Sequence, residues 1–312
     1  MKAGTNAASI VLPRVLLSAA WVAFSSLIAA ADAPVQPGHE SGSELQFMPD
    51  PGVRVDNASN PAARVDEEGS VILFYEDQAR HRVRVATAGD GIRFSGGVEP
   101  AGIRHPFTAR LPDGTWRRYS WDRQARVFTS SSSKDGAHYA PDAGVRYTLH
   151  ESDRGSMGIY DVFSDARGGV VLLYLGDMRG ANNVRRAYST DGGDTFTFTN
   201  GNVLGDADSG GGGRSYVDQH SIPLPDGRRR LTCMKACEVF SFITEDDGRT
   251  FKLEPGTRLT RRDFAEFPVR CLNDPTLVRL PDGRYRIYVT AQIETAAGHR
   301  HQAVVSATTA QP

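Results

Sequence analysis

The sequence predicts an all-β protein, a five-bladed β-propeller whose last blade is closed by the N-terminal strand. A pattern of strand, glycine turn and second strand occurs five times, with turn glycines at Gly69, Gly114, Gly168, Gly227 and Gly283. These glycines are 45, 54, 59 and 56 residues apart, which is about the length of one propeller blade. A repeat of this length is too small to bury its own apolar face, so the copies are expected to pack around a common axis.

Each repeat predicts the inner half of one blade, and four antiparallel strands are expected per blade. The five segments, in order, are PAARVDEEGSVILFY (61–75), PFTARLPDGTWRRY (106–119), DVFSDARGGVVLLY (161–174), SIPLPDGRRRLTCM (221–234) and DPTLVRLPDGRYRIY (274–288). In a closed propeller the loops at one end of the axis form the mouth of a central channel. Ligand sites are expected at that mouth.

A second pattern closes each unit with a sequence close to Ser-x-Asp-x-Gly-x-Thr-Phe. We call these segments the aspartate turns: ATAGDGIRF (86–94), SSSKDGAHY (131–139), YSTDGGDTF (188–196) and ITEDDGRTF (243–251). Short Asp and Ser side chains hydrogen-bond the turn backbone, and glycine adopts the positive φ. A structural role is therefore predicted for Asp191. The pattern resembles the Asp-box, or BNR repeat, of sialidases, and that resemblance implies six blades as the alternative.

The two ends of the chain predict how the ring closes. The fifth unit stops at AVVSATTAQP (303–312), where its own aspartate turn should begin. The segment SGSELQF (41–47) occupies the missing register, with Phe47 in the aromatic position. The N-terminal strand is therefore expected to complete the last blade, which removes two free sheet edges.

The N-terminus predicts export from the cytoplasm. Lys2 and Arg14 precede an apolar run at 15–30, and small residues follow at Ala29 and Ala31. This is the pattern of a cleaved signal peptide, and the run is too short for a transmembrane helix. We predict a signal peptide at 1–31, a tether at 32–42 and one propeller domain at 43–312. The expected location is secreted or periplasmic, with no membrane contact after cleavage.

Charge and cysteine content narrow the classes of partner. The formal net charge of −1 becomes −3 once Lys2 and Arg14 are removed, so a nucleic-acid partner is not expected. The protein is expected to be a monomer.

The chain has three cysteines, Cys233, Cys237 and Cys271. An oxidising compartment permits one disulfide among them and leaves one free thiol.

Carboxylates and imidazoles recur where the inner strands begin. The candidate catalytic residues are Asp161, Asp218, His220 and Asp274. His220 would be a proton donor near neutral pH. Candidate substrate-binding residues from the surrounding loops are Arg104, His105, Arg214, Arg270, Asp77, Trp121, Asp177 and Glu238. The arginines are suited to an anionic group because guanidinium binds carboxylate, phosphate or sulfate through paired donors.

The segment from Asp274 to Tyr288 resembles the five-bladed furanosidase-type glycoside hydrolases. That resemblance implies acidic catalytic residues on the inner strands, and Asp161, Asp218 and Asp274 match such positions. Asn60 departs from the pattern, because a neutral amide cannot replace the aspartate base of the first inner strand. Arg104-His-Pro106 resembles the Arg-x-Pro motif of sialidases.

The sequence therefore predicts a carbohydrate-active enzyme, similar to a glycoside hydrolase, that acts on an anionic or decorated glycan at the channel mouth. A non-catalytic glycan-binding propeller is the first alternative, although mouth residues that differ between blades favour one asymmetric site. A metal-dependent enzyme with a divalent cation held by axial His and Asp is the second alternative. No other cofactor is predicted. A scaffold for protein partners would require an apolar outer patch instead.

Overall fold

The computed structural model describes residues 45–101, 103, 106–153, 157–176, 183–205, 215–294 and 298–310, all within the compact unit Gly38–Pro312. These residues form five small antiparallel sheets arranged in a ring, so the predicted five-bladed all-β propeller is confirmed. Within the described part of the chain, no helix is long and apolar enough to cross a bilayer. The predicted signal peptide and tether lie outside the described residues and stay predictions.

The first two blades differ in their number of strands. Blade 1 contains β3 (Ala58–Val65), β4 (Val71–Asp77) and β5 (Arg82–Ala88). Blade 2 contains β6 (Thr108–Arg110), β7 (Trp116–Asp122), β8 (Val127–Ser133), β9 (Ala140–Pro141) and β10 (Tyr147–Thr148). Both β9 and β10 pair with β8. In blade 1 the described residues that follow β5 add an isolated bridge between Val85 and Val98.

Blades 3 and 4 have the predicted four strands. Blade 3 follows the 3-10 helix Glu151–Asp153 and contains β11 (Met157–Ser164), β12 (Val170–Gly176), β13 (Asn183–Ser189) and β14 (Thr197–Leu204). Blade 4 contains β15 (Val217–Pro223), β16 (Arg229–Lys235), β17 (Glu238–Thr244) and β18 (Lys252–Leu253). The expectation of four strands in every blade is therefore correct for these two blades only.

Blade 5 joins the two ends of the chain, as the sequence predicted. It contains β19 (Val269–Arg279), β20 (Tyr285–Glu294), β21 (Arg300–Thr309) and the N-terminal strands β1 (Phe47–Pro49) and β2 (Val55–Asp56). Phe47 pairs with Thr309, and Pro49 pairs with Ala307. Further along, Val55 pairs with Val304. The last blade is thus closed by the N-terminal segment on the outer side of β21.

The first strand of each sheet lies next to the first strand of a neighbouring blade. We call β3, β6, β11, β15 and β19 the inner strands, since β11 contacts β6, β15 contacts β11, β19 contacts β15 and β3 contacts β19. Apolar residues from adjacent blades form the core between them. One such cluster joins Leu73 and Tyr288 of blades 1 and 5, and another joins Tyr119 and Leu172 of blades 2 and 3.

The aspartate turns are bound by the preceding blade. Tyr119 donates its hydroxyl to the carbonyl of Gly193 over 3.2 Å, and Tyr288 donates to the carbonyl of Gly91 over 2.7 Å. Gly193 has a φ of 84°, and a Cβ there would lie 1.8 Å from the Tyr119 hydroxyl. The closing Phe196 packs edge-on against Tyr119, with ring centroids 5.4 Å apart. These turns therefore hold neighbouring blades together.

The hydrogen bonds of Asp191 agree with the predicted structural role. Its Oδ1 accepts from the backbone N–H of Asp194 at 3.1 Å and of Thr195 at 3.0 Å. Its Oδ2 accepts from the Thr195 hydroxyl at 2.6 Å. Although burial alone would raise it, hydrogen bonds from Ser189 and Thr195 lower the pKa of Asp191 to about 2.

Asp191→Asn is expected to lower the free energy of unfolding by about 1 kcal/mol, because the amide cannot accept every hydrogen bond of the carboxylate. Since the folded-state pKa is depressed, this stabilisation is present above pH ~4 and is lost as the pH falls toward the folded-state pKa. Urea unfolding at pH 7 and pH 2 measures the difference between the variant and the original protein. A penalty of equal size at both pH values would contradict the role assigned to the charge.

Candidate active site

Four inner strands are interrupted by a β-bulge near the point where they begin. The bulges lie between Ser59 and Ala62, Met157 and Tyr160, Val217 and His220, and Asn273 and Thr276. Three of them place a non-glycine residue in the left-handed region: Asn60 has a φ of 50°, Asp218 of 57° and Asp274 of 50°. Bulges redirect side chains, and left-handed backbone at such residues concentrates at functional sites.

Hydrogen bonds connect these three bulge residues across blades 4, 5 and 1. Asp218 Oδ2 accepts from the backbone N–H of Asp274 at 3.4 Å. Asp274 Oδ2 accepts from the hydroxyl of Thr290 at 3.0 Å. The same Thr290 oxygen accepts from the backbone N–H of Asn60 at 3.0 Å. Three residues from separate repeats thus form one polar cluster, the candidate active site.

Glu76 extends this cluster and was not among the predicted site residues. It lies on β4, where it pairs with Ser59 across the strand, and its Oε2 accepts from Asn60 Nδ2 at 2.8 Å. The residue predicted from the sequence was its neighbour, Asp77. The pairing of β3 with β4 places Glu76 beside the bulge, a relation that becomes visible once the hairpin register is known.

The pKa values of the Asp218 and Asp274 carboxyl groups are both raised above the usual range of an aspartate. Burial, together with the negative charges of Asp218 and Glu76, raises the pKa of Asp274. Burial also raises the pKa of Asp218. Two adjacent carboxyl groups of this kind resist losing both protons, so the pair retains a proton at higher pH than an isolated aspartate does. Such a pair is suited to donate a proton to a departing group.

His220 lies within the fold as a neutral hydrogen-bond acceptor. Its Nδ1 accepts from the backbone N–H of Leu277 at 3.4 Å, so this nitrogen does not carry the proton. Burial lowers the pKa of His220. The predicted role as proton donor near neutral pH is therefore not favoured, because the imidazolium form is disfavoured there.

Asp161 accepts its interblade hydrogen bonds from blade 4. Its Oδ2 accepts from the backbone N–H of Ser221 at 2.9 Å and from the Ser221 hydroxyl at 2.5 Å. Only 3% of Asp161 is exposed. These bonds join blade 3 to blade 4, so the geometry gives Asp161 an interblade structural role rather than a place in the cluster.

The positions of the turn glycines explain why Asp161 lies outside the cluster. Asn60, Asp218 and Asp274 each precede the turn glycine of their repeat by nine residues, whereas Asp161 precedes Gly168 by seven. Asp161 is therefore two residues out of register with Asn60, Asp218 and Asp274. His105 precedes its turn glycine by nine residues, but it lies outside the described residues.

The remaining predicted binding residues fall into two groups. Arg104, His105, Asp177 and Arg214 lie outside the described residues. Of the others, Asp77 folds its own loop by accepting from Ala79 and Arg80. Arg270 forms an ion pair with Glu294, which opposes its expected role as a free anion ligand.

Trp121 packs against the core, and Glu238 is the first residue of a strand that follows a tight turn. The Trp121 ring packs at 5.1 Å from the Phe128 ring, within the core between blades 2 and 3. Glu238 begins β17 after a turn in which Ala236 and Cys237 have positive φ. Burial raises the pKa of Glu238. Neither contact tests substrate binding, which stays a prediction for both residues.

A disulfide fixes the blade 4 turn to the inner strand that carries Asp274. Cys237 is bonded to Cys271, three residues before Asp274, and Cys233 is a buried thiol. This pairing is one of those the sequence left open. Among the described residues, no group of three or more His, Cys, Asp or Glu side chains is arranged to hold a metal ion.

Comparison with known proteins supports the fold. No protein-family model matches the chain, and no curated protein matches it. Among solved structures, the Bacteroides ovatus xyloglucan PUL GH43B is 12% identical with a TM-score of 0.57, and the match covers 84% of this chain and 54% of that one. The endo-arabinase from Bacteroides thetaiotaomicron is 12% identical with a TM-score of 0.54, covering 84% and 96%.

A third structure has the same architecture. The alpha-L-arabinofuranosidase from Lactobacillus brevis is 11% identical with a TM-score of 0.52, and the match covers 83% of this chain and 92% of that one. The chain spans about half the length of the Bacteroides ovatus protein. The predicted likeness to five-bladed furanosidase-type propellers is thus confirmed for the fold. Sequence identities this low support the fold alone and say nothing about activity or substrate. The sialidase resemblance stays a prediction.

Proposed function

We propose that this protein is a secreted or periplasmic glycoside hydrolase that cleaves a glycan at the bulge residues of blades 4, 5 and 1. The observation that carries the proposal is the Asp218–Asp274 pair, placed by two left-handed bulges in equivalent positions of adjacent repeats. Several solved structures with this fold are named as glycan-cleaving enzymes. That agreement supports the proposal and does not replace the argument from the site.

The Asp218–Asp274 pair supplies the acid that glycoside cleavage requires. The leaving oxygen of a glycosidic bond is a poor leaving group unless it is protonated as the bond breaks. Asp274 is the proton donor, because its raised pKa keeps the proton available near neutral pH. Asp218 contributes the charge that maintains this state. A binding module has no need for a carboxyl pair tuned in this way.

The described part of the site favours a decorated neutral glycan over an anionic one. Asp218, Asp274 and Glu76 all contribute carboxyl groups to the cluster, and these repel a substrate anion. Arg270 already pairs with Glu294. A preference for an anionic sugar therefore depends on Arg104 and Arg214, which lie outside the described residues.

The test is hydrolysis of a panel of neutral pentose and hexose glycans, uronic-acid glycans and sialosides by the original protein and the Asp218→Asn variant. Asparagine tolerates left-handed backbone, so the variant should fold. The expected result is product from at least one glycan and a rate loss of roughly 10²-fold or more in the variant. The exposed turn variant Asp226→Asn is the control and should keep the original rate.

Two outcomes would overturn the proposal. Binding of a glycan without turnover by the original protein would assign it to the glycan-binding propellers. Turnover that survives Asp218→Asn unchanged would show that the carboxyl pair is not the catalytic group. Accumulation of the protein in the cytoplasm would contradict the proposed location.

A further inference from the structure

Asn60 is fixed at both its backbone and its side chain, and it points toward Glu76. Its backbone N–H donates to Thr290 Oγ1 at 3.0 Å, while its Nδ2 donates to Glu76 Oε2 at 2.8 Å. Its left-handed φ of 50° is unusual for a residue other than glycine. These hydrogen bonds fix the position of Glu76 Oε2. They also connect Asn60, through Thr290, to Asp274.

Hydrolysis of a glycosidic bond needs two carboxyl functions that do not touch. The groups that act on opposite sides of the bond are about 5–9 Å apart. Asp218 and Asp274 are linked directly, because Asp218 Oδ2 accepts from the backbone N–H of Asp274 at 3.4 Å. They act as one unit on one side of the bond. Glu76 is separated from Asp274 by the intervening Asn60 and Thr290.

Glu76 differs from its neighbour Asp77 in what its carboxylate does. Asp77 accepts from the backbone of Ala79 and Arg80 and pairs with the Arg80 guanidinium at 2.7 Å. Its oxygens are thus used to fold the loop after β4. Glu76 is half-buried, and its Oε2 is held by the Asn60 amide. At the end of β4, Glu76 is therefore the carboxylate that remains for chemistry.

We propose that Glu76 is the general base of the site and that Asn60 is the residue that positions it; this inference rests on the proposed hydrolase function. Glu76 removes a proton from water as the water oxygen bonds to the anomeric carbon. The bond from that carbon to the leaving oxygen breaks, and Asp274 donates its proton to that oxygen. The proton gained by Glu76 and the proton lost by Asp274 are exchanged with solvent before the next turnover.

The role of Glu76 is tested with Glu76→Gln on the glycan that the original protein cleaves. The expected result is a loss of kcat of roughly 10²–10⁴-fold. Added sodium azide should restore much of the rate, with a glycosyl azide as product, because azide attacks the anomeric carbon without a base. Glu67→Gln, an exposed change in the Gly69 turn, is the control and should keep the original kcat.

The role of Asn60 is tested with Asn60→Gly, because glycine adopts the same left-handed backbone without strain. Loss of the Asn60 amide removes the donor that fixes Glu76 Oε2. The variant should therefore lose kcat, while its KM and its melting temperature change little. A purely structural role would instead lower the melting temperature and leave kcat per folded molecule unchanged.

The outcomes separate this inference from the function on which it rests. An unchanged kcat in Glu76→Gln, or a loss that azide does not restore, overturns the assignment of Glu76 and leaves the hydrolase proposal standing. An unchanged kcat in Asn60→Gly overturns the positioning role. Failure of the original protein to cleave any glycan in the panel removes the hydrolase proposal and this inference together.

Discussion

Replacing Asp274 with Asn is expected to lower turnover by roughly 10²–10⁴-fold and, at neutral pH, to raise the melting temperature. Turnover falls because the amide has no acidic proton to give to the leaving oxygen. The fold becomes more stable because Asp274 is held near two other carboxyl groups, Asp218 and Glu76. The amide removes that repulsion and still accepts the hydrogen bond from Thr290.

The sign of the pH dependence follows from the raised pKa of Asp274. A carboxyl group with a raised pKa in the folded state holds its proton more tightly there than in the unfolded state. Its contribution to stability is fully present below the unfolded-state pKa of about 3.9 and is lost as the pH rises through the folded-state pKa. The Asn variant does not titrate at this site. Its advantage in melting temperature should therefore be absent near pH 4 and should grow as the pH rises.

Calorimetry from pH 4 to pH 9 measures this advantage, and the same samples give the rate. At neutral pH we expect a rise of roughly 2 °C for each kcal/mol of repulsion removed, the lower end of the shift for a domain of 150–250 residues, because this domain is larger. Asp282→Asn is the matched control in the same repeat, since Asp282 is exposed and pairs with Arg284 on the turn. A lower melting temperature for Asp274→Asn at pH 8 would contradict the proposed repulsion.

The repeat made the fold and the ring closure predictable from sequence. Phe47 matched the aromatic position of the aspartate turns, and three residues further on Asp50 matches Asp142 and Glu254 in other blades. In the structure Asp142 accepts from Ser130 at 2.5 Å, and Glu254 accepts from Ser241 at 2.6 Å. Because the same local contacts recur in several repeats, one copy predicts the others.

Individual side-chain partners were less predictable, because they come from strands that are distant in sequence. Asp161 is two residues out of register, which the distance to Gly168 already indicated. Its bonds to Ser221, by contrast, depend on how blades 3 and 4 pack. The pairing of Arg270 with Glu294 joins the first part of β19 to the last residue of β20, which meet at the open end of the hairpin. Composition and spacing do not report such contacts.

Glu76 shows the same limit within one blade. Sequence spacing placed both Glu76 and Asp77 in one loop, and either carboxylate was available for binding. Asp77 is engaged in the turn, where it accepts hydrogen bonds from the backbone of Ala79 and Arg80. The left-handed φ of Asn60 directs its side chain to Glu76 instead. Backbone conformation at a bulge is a tertiary property here, and it decides which carboxylate reaches the cluster.

The contacts of Asp50 show what the N-terminal segment contributes to the closed ring. Its carboxylate accepts from Ser306 at 2.6 Å and from Thr308 at 2.9 Å. It also lies 3.3 Å from the Arg286 guanidinium, which is only 5% exposed. Removing one partner of such a buried pair leaves an uncompensated charge and costs roughly 3–5 kcal/mol. Leu45 adds a backbone carbonyl that accepts from Arg258 at 3.0 Å.

A chain that begins at residue 51 is therefore expected to melt roughly 6–20 °C below a chain that begins at residue 32, since each kcal/mol corresponds to about 2–4 °C in a domain of 150–250 residues. It should also aggregate on heating, because loss of Phe47–Pro49 exposes part of the β21 edge. Asp50→Ala in the longer chain isolates the ion-pair contribution, and Asp282→Ala is the exposed control, with a cost below ~1 kcal/mol. Calorimetry and light scattering provide the two measurements. Equal melting temperatures for the chains that begin at residues 32 and 51 would show that the N-terminal strand adds no stability to the ring.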